Sequence, residues 1–236
     1  MILCAAVAMA EKPSYPSLAE LLDGVLAQMP RDEVLILGKL TVRDKSQKTI
    51  RVVGVDIRTH IGTASASGSY TLHDAFGAPL EQFTVSRLRG RNAVYQYAKG
   101  NPLRPAPVPD IFASVQETGV SWSDLTFPFL WWRDGKVTGE ASVKGRDCYV
   151  AEVRPPPQEP GHAGTMTLWI DRKYRMLIRA EECGADGQVL RRMTAQSFKK
   201  INDEWMIKDI VLENFALGYR STLTIEEMST AAAASR

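Results

Sequence analysis

A mainly β protein with a few helices (α+β), built on a strongly curved and mostly antiparallel sheet, is what the 236 residues predict. Three observations carry this. Runs of alternating apolar and polar residues, separated by turn residues, recur through most of the chain and amount to roughly ten strands. Two neighbouring runs each hold a central glycine, Gly38 and Gly54, which marks a bulge or bend in a curved sheet. One amphipathic helix pattern precedes the strands, and an aromatic stretch over 119–146, with three of the five Trp, interrupts them.

The helix pattern comes first. Ser17 is a good N-cap, and Glu20 three residues on completes a capping box. Leu18, Leu21, Leu22, Val25, Leu26 and Met29 form one apolar stripe at helical spacing, and Pro30 stops it. Residues 33–43 begin as a continuous apolar run and then alternate. A polar turn over 44–48 leads into 49–59, which alternates through Ile50, Val52, Gly54 or Val55, and Ile57. The stretch 60–69 is rich in Gly, Ser, Ala and Thr and reads as a loop. Residues 69–74 and 82–88 read as strands around the turn Gly77-Ala78-Pro79. Gly90-Arg91-Asn92 turns into a strand from Ala93. A Pro-rich loop over 100–110 follows, and Asp110 or Ser114 is the candidate cap of a short helix.

Beyond the aromatic stretch the chain becomes a plain meander. Strands are expected over 147–154, 165–171, 176–183, 189–198, 205–214 and 217–226. Ala185-Asp186-Gly187 is a tight hairpin turn, and Ile201-Asn202-Asp203-Glu204 forms the next hairpin. No composition break divides the chain, so one domain over 11–236 is expected.

The first ten residues are apolar, and Ala8-Met9-Ala10 fits the small-x-small pattern before a cleavage site. Residues 1–10 therefore read as a short signal peptide without a basic n-region, and the mature protein as soluble and periplasmic. Cys4 lacks the Leu three residues earlier that lipidation requires. Cys148 and Cys183 fall on first and third strands of the meander, too far apart to bridge, and are expected to be free thiols.

The 29 basic and 27 acidic residues leave a net charge of +2, which argues against nucleic acid as the partner even where Tyr and bases interleave over 91–99. Arg87, Arg89 and Arg91, near Arg104, read as solvated strand faces. His60, His73 and His162 lack metal-site spacing. Glu181 and Glu182 fall on opposite sides of one strand, which weakens any paired-carboxylate chemistry. No nucleophile elbow, phosphate loop or dinucleotide fingerprint is present. No cofactor, metal or catalytic set is therefore assigned.

Asp124-Leu125-Thr126-Phe127-Pro128-Phe129-Leu130-Trp131-Trp132 resembles a segment of proteins labelled outer-membrane lipoprotein-sorting protein, in the lipoprotein carrier superfamily of LolA and LolB. Four further segments match in order. They are Val143 with the following Lys144-Gly145-Arg146-Asp147-Cys148-Tyr149-Val150, then Leu168-Trp169-Ile170-Asp171, then the hairpin of Ala185-Asp186-Gly187-Gln188-Val189-Leu190-Arg191, and the turn over 201–207. The resemblance covers about half the chain. It implies an incomplete, strongly curved antiparallel β-barrel with helices on its concave side, sheltering lipid or acyl chains.

Leu18, Leu22 and Val25 of the first helix, with Trp122, Leu125, Phe127, Phe129, Leu130, Trp131 and Trp132, are then the candidate cavity residues. The same side chains would equally fill a packed core. Trp131 and Trp132 are adjacent, so they should point different ways, with one near a rim. The leading expectation is a monomeric, non-enzymatic carrier or chaperone for lipid or lipoprotein acyl chains, touching membranes only peripherally, with a sizeable apolar cavity between sheet and helices. The alternative is an envelope interaction module with a filled core, whose exposed sheet edge pairs with a protein partner.

Overall fold

The computed structural model describes residues 15–30, 32–62, 64–161, 164–201 and 204–230. The leader over 1–10, Cys4, His162 and the hairpin residues Asn202 and Asp203 lie outside them.

Helix α1 spans Leu18–Ala27. Ser17 caps it: the Glu20 amide donates to the Ser17 hydroxyl, and the Glu20 carboxylate accepts from the Ser17 amide. Thirteen strands follow. They are β1 (Val34–Arg43), β2 (Thr49–Ile61), β3 (Ser65–His73), β4 (Pro79–Leu88), β5 (Val94–Lys99), β6 (Arg104–Ala106), β7 (Asp134–Val143), β8 (Arg146–Arg154), β9 (Thr165–Asp171), β10 (Leu177–Cys183), β11 (Val189–Ile201), β12 (Glu204–Asn214) and β13 (Tyr219–Thr230). Between β6 and β7 lie helix α2 (Trp122–Thr126) and a 3-10 turn (Pro128–Leu130).

All thirteen strands join one antiparallel sheet in the order β6-β5-β4-β3-β2-β1-β13-β12-β11-β10-β9-β8-β7. Two meanders thus meet where the first strand pairs with the last. The sheet stays open, with β6 and β7 as its edges. Its curvature shows in contacts between distant positions of that order. Arg87 of β4 reaches Glu159, in the connection between β8 and β9. Gly38 serves the bend: the pairing of β1 with β13 slips between Leu37 and Gly38, and a Cβ at Gly38 would lie 2.9 Å from the Thr224 carbonyl oxygen.

One continuous apolar cluster joins α1, the insert and strands from both halves of the sheet. Along β9, Met166, Leu168 and Ile170 all face it, as their alternation predicts. A small second cluster of Val143, Cys148 and Ile178 packs elsewhere on the β7–β10 region. Cys148 and Cys183 are free thiols on β8 and β10, with β9 between them.

Four expectations are corrected. The stretch 60–69 is not a loop: β2 continues to Ile61 and β3 starts at Ser65, so the connection is short. Its small residues fit a strand paired on both sides, and the Tyr70 ring packs so close to Gly68 that a Cβ there would lie 2.7 Å from it. In β2 the inward residues are Val53, Val55 and Ile57, while Ile50 and Val52 are 45% and 40% exposed. Residues 110–118 form turns rather than the short helix expected from Asp110 or Ser114: the Asp110 carboxylate accepts from the Phe112 amide, and the helix of the insert starts at Ser121. Arg87 is only 7% exposed and is no solvated strand residue.

Candidate functional site: the concave face and its helical insert

The candidate residues converge on the concave face. Leu18, Leu22 and Val25 of α1 are buried with Leu21 and Leu26, as the helical stripe requires. Ser121 and Asp124 form a second capping box that starts α2, directing Trp122 and Leu125 inward. Phe127 ends α2 in the left-handed region at φ 46°, and Pro128 opens the 3-10 turn that buries Phe129 and Leu130. A non-glycine residue held at positive φ is strained, and it redirects the chain here.

The aromatic side chains interlock. Trp122 stacks on Phe83 of β4 at 5.0 Å between centroids, and Tyr97 meets it edge-on at 6.4 Å. Phe129 touches Trp132 at 6.3 Å, and Phe127 lies 5.9 Å from Phe129. Trp131 and Trp132 do point different ways. Trp132 is buried, whereas Trp131 is half-buried and lines a cleft beside Tyr70 and Arg87. That cleft holds about 20 Å³, enough for a single water and far from the roughly 300–1,000 Å³ of small-molecule sites. The sizeable apolar cavity expected under the helices is therefore not open among the described residues. Bulky side chains occupy it.

Two buried polar clusters, which the sequence reading did not single out, fix this filling in place. In the first, Arg87 donates to the Tyr95 hydroxyl at 2.7 Å, and that hydroxyl donates to the Glu159 carboxylate at 2.8 Å. Trp132 Nε1 donates to the other Glu159 oxygen at 3.2 Å, and the Arg87 guanidinium lies 3.6 Å from it. Burial pushes the Tyr95 phenol well above its ordinary pKa, so it stays a neutral donor. In the second, Arg191 binds Glu182 at 2.7 Å through Nε and Asp124 at 2.9 Å. The two carboxylates raise its pKa further against the opposing effect of burial. Glu181 points the other way, to Arg192 at 2.6 Å. The adjacent carboxylates thus serve two separate ion pairs.

Helix α1 is held at its exposed side by one residue. Asp23 pairs with Arg89 and with Arg133, each at 2.8 Å. His60 and His73 do not meet in a metal set; His73 pairs with Asp56 at 3.0 Å. Among the described residues no His, Cys, Asp and Glu group forms a metal cluster. None of the described helices is long and apolar enough to cross a membrane.

An open, curved antiparallel sheet with a helix and an aromatic insert on its concave side defines the LolA-like class of fold. The chain matches, over residues 112–235, a family model described as "Uncharacterized protein", and it belongs to that family. Solved structures agree on the fold. A DUF1329 family protein from Desulfovibrio piger is 13% identical with a TM-score of 0.75, over 91% of this chain and 92% of that one. A putative outer membrane lipoprotein-sorting protein domain from Vibrio parahaemolyticus is 12% identical, also at 0.75, over 90% and 92%. A LolA superfamily protein from Nitrosomonas europaea is 13% identical at 0.67, over 92% and 94%. Among curated proteins, none matches significantly.

Proposed function

We propose that the protein is an exported, non-enzymatic carrier of lipid or lipoprotein acyl chains, and that the packed interior is its empty, closed form. The observation that supports this is the make-up of the concave face. Strands from both halves of the sheet contribute to one continuous apolar cluster, and the groups covering it are not strands. They are α1 and the insert, attached by side-chain contacts and a few ion pairs. Acyl chains would bind where those side chains now sit, at about 25 cal/mol per Å² of apolar surface buried. Such binding has no directional bonds, which suits a cargo that must be released. Trp122 Nε1, like Arg87 Nε, is buried without a partner, and the ester carbonyl of an acyl glycerol would satisfy such a donor. The sorting function in the name of the Vibrio parahaemolyticus relative points the same way.

A second reading is favoured by the same packing. If α1 and the insert never leave, the protein is an envelope interaction module. Edge strand β7, long and largely exposed, would then be where a partner strand adds. Native mass spectrometry of the protein purified without detergent separates the two. The carrier reading expects a bound phospholipid or acyl mass that organic extraction removes. A clean empty mass, with no uptake of added lipid, overturns it and leaves the interaction module.

A further inference from the structure

An open space lies at the β6 end of the sheet. A groove of about 530 Å³ runs over the end of the sheet at β4, β5 and β6. Gln82 stands opposite Ala98, and Thr84 opposite Gln96, in the pairing of β4 with β5. Cross-strand partners share a face, so these four side chains form one block. This block lies on the face opposite Phe83 and Val85, which point into the core, whereas Tyr95 and Tyr97, which also line the groove, pair with Val85 and Phe83 and share their face. Pro105 is paired with Ala98 and extends the block to β6, and Val108 bounds it beyond. The size is within the range of small-molecule sites, roughly 300–1,000 Å³.

We propose that this groove binds a short neutral saccharide. No charged residue lines it, although 24% of the chain is charged, which disfavours anions, cations and charged headgroups. Its polar groups are amides and hydroxyls, which both donate and accept and so match sugar hydroxyls. The Gln82 amide is anchored by donating to the Thr71 hydroxyl at 3.2 Å. Among the described residues no side-chain hydrogen bond engages Gln96 or Thr84. Ala98, Pro105 and Val108 supply apolar surface for the C–H face of a sugar ring. An extended peptide fits less well. The adjoining edge strand is three residues long and contains Pro105, which has no N–H to donate to an added strand.

Gln82, Thr84, Gln96 and Ala98 lie on the face opposite the candidate cargo residues, so a test read at these four stands apart from the carrier reading. Cellotriose, maltotriose and chitotriose would be titrated into isotope-labelled protein, with trigalacturonate and a neutral extended hexapeptide as controls. One neutral trisaccharide should shift the amides of Gln82, Thr84, Gln96 and Ala98 saturably, and the controls should not. Gln96→Ala should weaken binding about tenfold, a loss of about 1.4 kcal/mol, and Ala98→Trp should abolish it by filling the groove. Both changes are on a strand face away from the core, so unchanged thermal unfolding would show the fold intact. The proposal is overturned if no trisaccharide shifts these residues, if the charged trimer or the peptide binds equally well, or if Gln96→Ala leaves binding unchanged.

Discussion

Arg87 shows what a single residue's environment decides. Phe83, Val85 and Arg87 alternate along β4 and share the inward face. The parity was in the sequence, and it outranked the local cluster of basic residues. Its partner was not legible: Glu159 sits in a Pro- and Gly-rich connection, and only the curvature of the sheet brings it to β4. Removing one member of a buried, hydrogen-bonded ion pair strands the other, which costs about 3–5 kcal/mol. Glu159→Ala should lower unfolding free energy in urea by about that amount, and a double change to Glu159→Leu and Arg87→Met should recover much of the loss. Equal losses in both would show that the pair is solvated. Cys148 offers a pH test. Burial first, then the nearby Asp171 carboxylate, push its thiol up to about 11. At pH 8 it lies about three units below that value, so roughly one molecule in a thousand is thiolate. In a Cys183→Ser variant, the S–H stretch of the buried Cys148 thiol, followed by Raman spectroscopy, should persist to about pH 10. Its loss by about pH 9 would contradict the shift.

At the scale of elements, the capping box of Ser17 was the most legible signal in the chain. Ser17 with Glu20, and Ser121 with Asp124, each use a side chain to satisfy helix amides, a chemistry that needs only local spacing. Asp124 also binds Arg191, a contact between distant segments that spacing cannot give. Asp124→Ala should therefore cost more than a cap alone, about 1–3 kcal/mol for the hydrogen bonds left unmade, and should loosen α2. Hydrogen exchange over 122–126 would register it; protection equal to the native protein would mean that packing alone holds the helix. Strand β7 carries the opposite lesson. Its Gly135 lies against β8 so closely that a Cβ would be 2.0 Å from the Glu152 carbonyl oxygen. Gly135→Ala should detach the start of this edge strand, raising exchange over 134–137 while β1 and β13 stay protected. The short strand β6 was not legible because Pro105 and the prolines on either side of the strand fit a loop pattern, and 60–69 was misread because small polar residues suit both a loop and a strand backed by neighbours.

For the whole molecule, the pattern of alternation gave the curved antiparallel sheet, and the aromatic stretch gave its insert. Whether the concavity is empty or filled was beyond it, since the same apolar side chains line a cavity and pack a core. The structure shows it filled, so carrying acyl chains requires motion, and the fastening of α1 decides how costly that motion is. The Asp23 pairs with Arg89 and Arg133 are partly exposed, and such pairs each contribute roughly 0–1 kcal/mol and weaken with salt. Beneath them the helix makes no ion pair among the described residues; Leu21, Leu22, Val25 and Leu26 are buried in the apolar core. Asp23→Ala would thus weaken closure without removing any side chain that an acyl chain would touch. In the carrier reading, the variant should take up a fluorescent phospholipid from vesicles several-fold faster than the native protein. Raising the salt from 0.05 to about 0.5 M should narrow the difference, because salt screens the native pairs and has nothing to screen in the variant. If the helix is instead a permanent part of a filled core, neither protein should take up lipid at any salt concentration, and Asp23→Ala should do no more than lower thermal stability slightly.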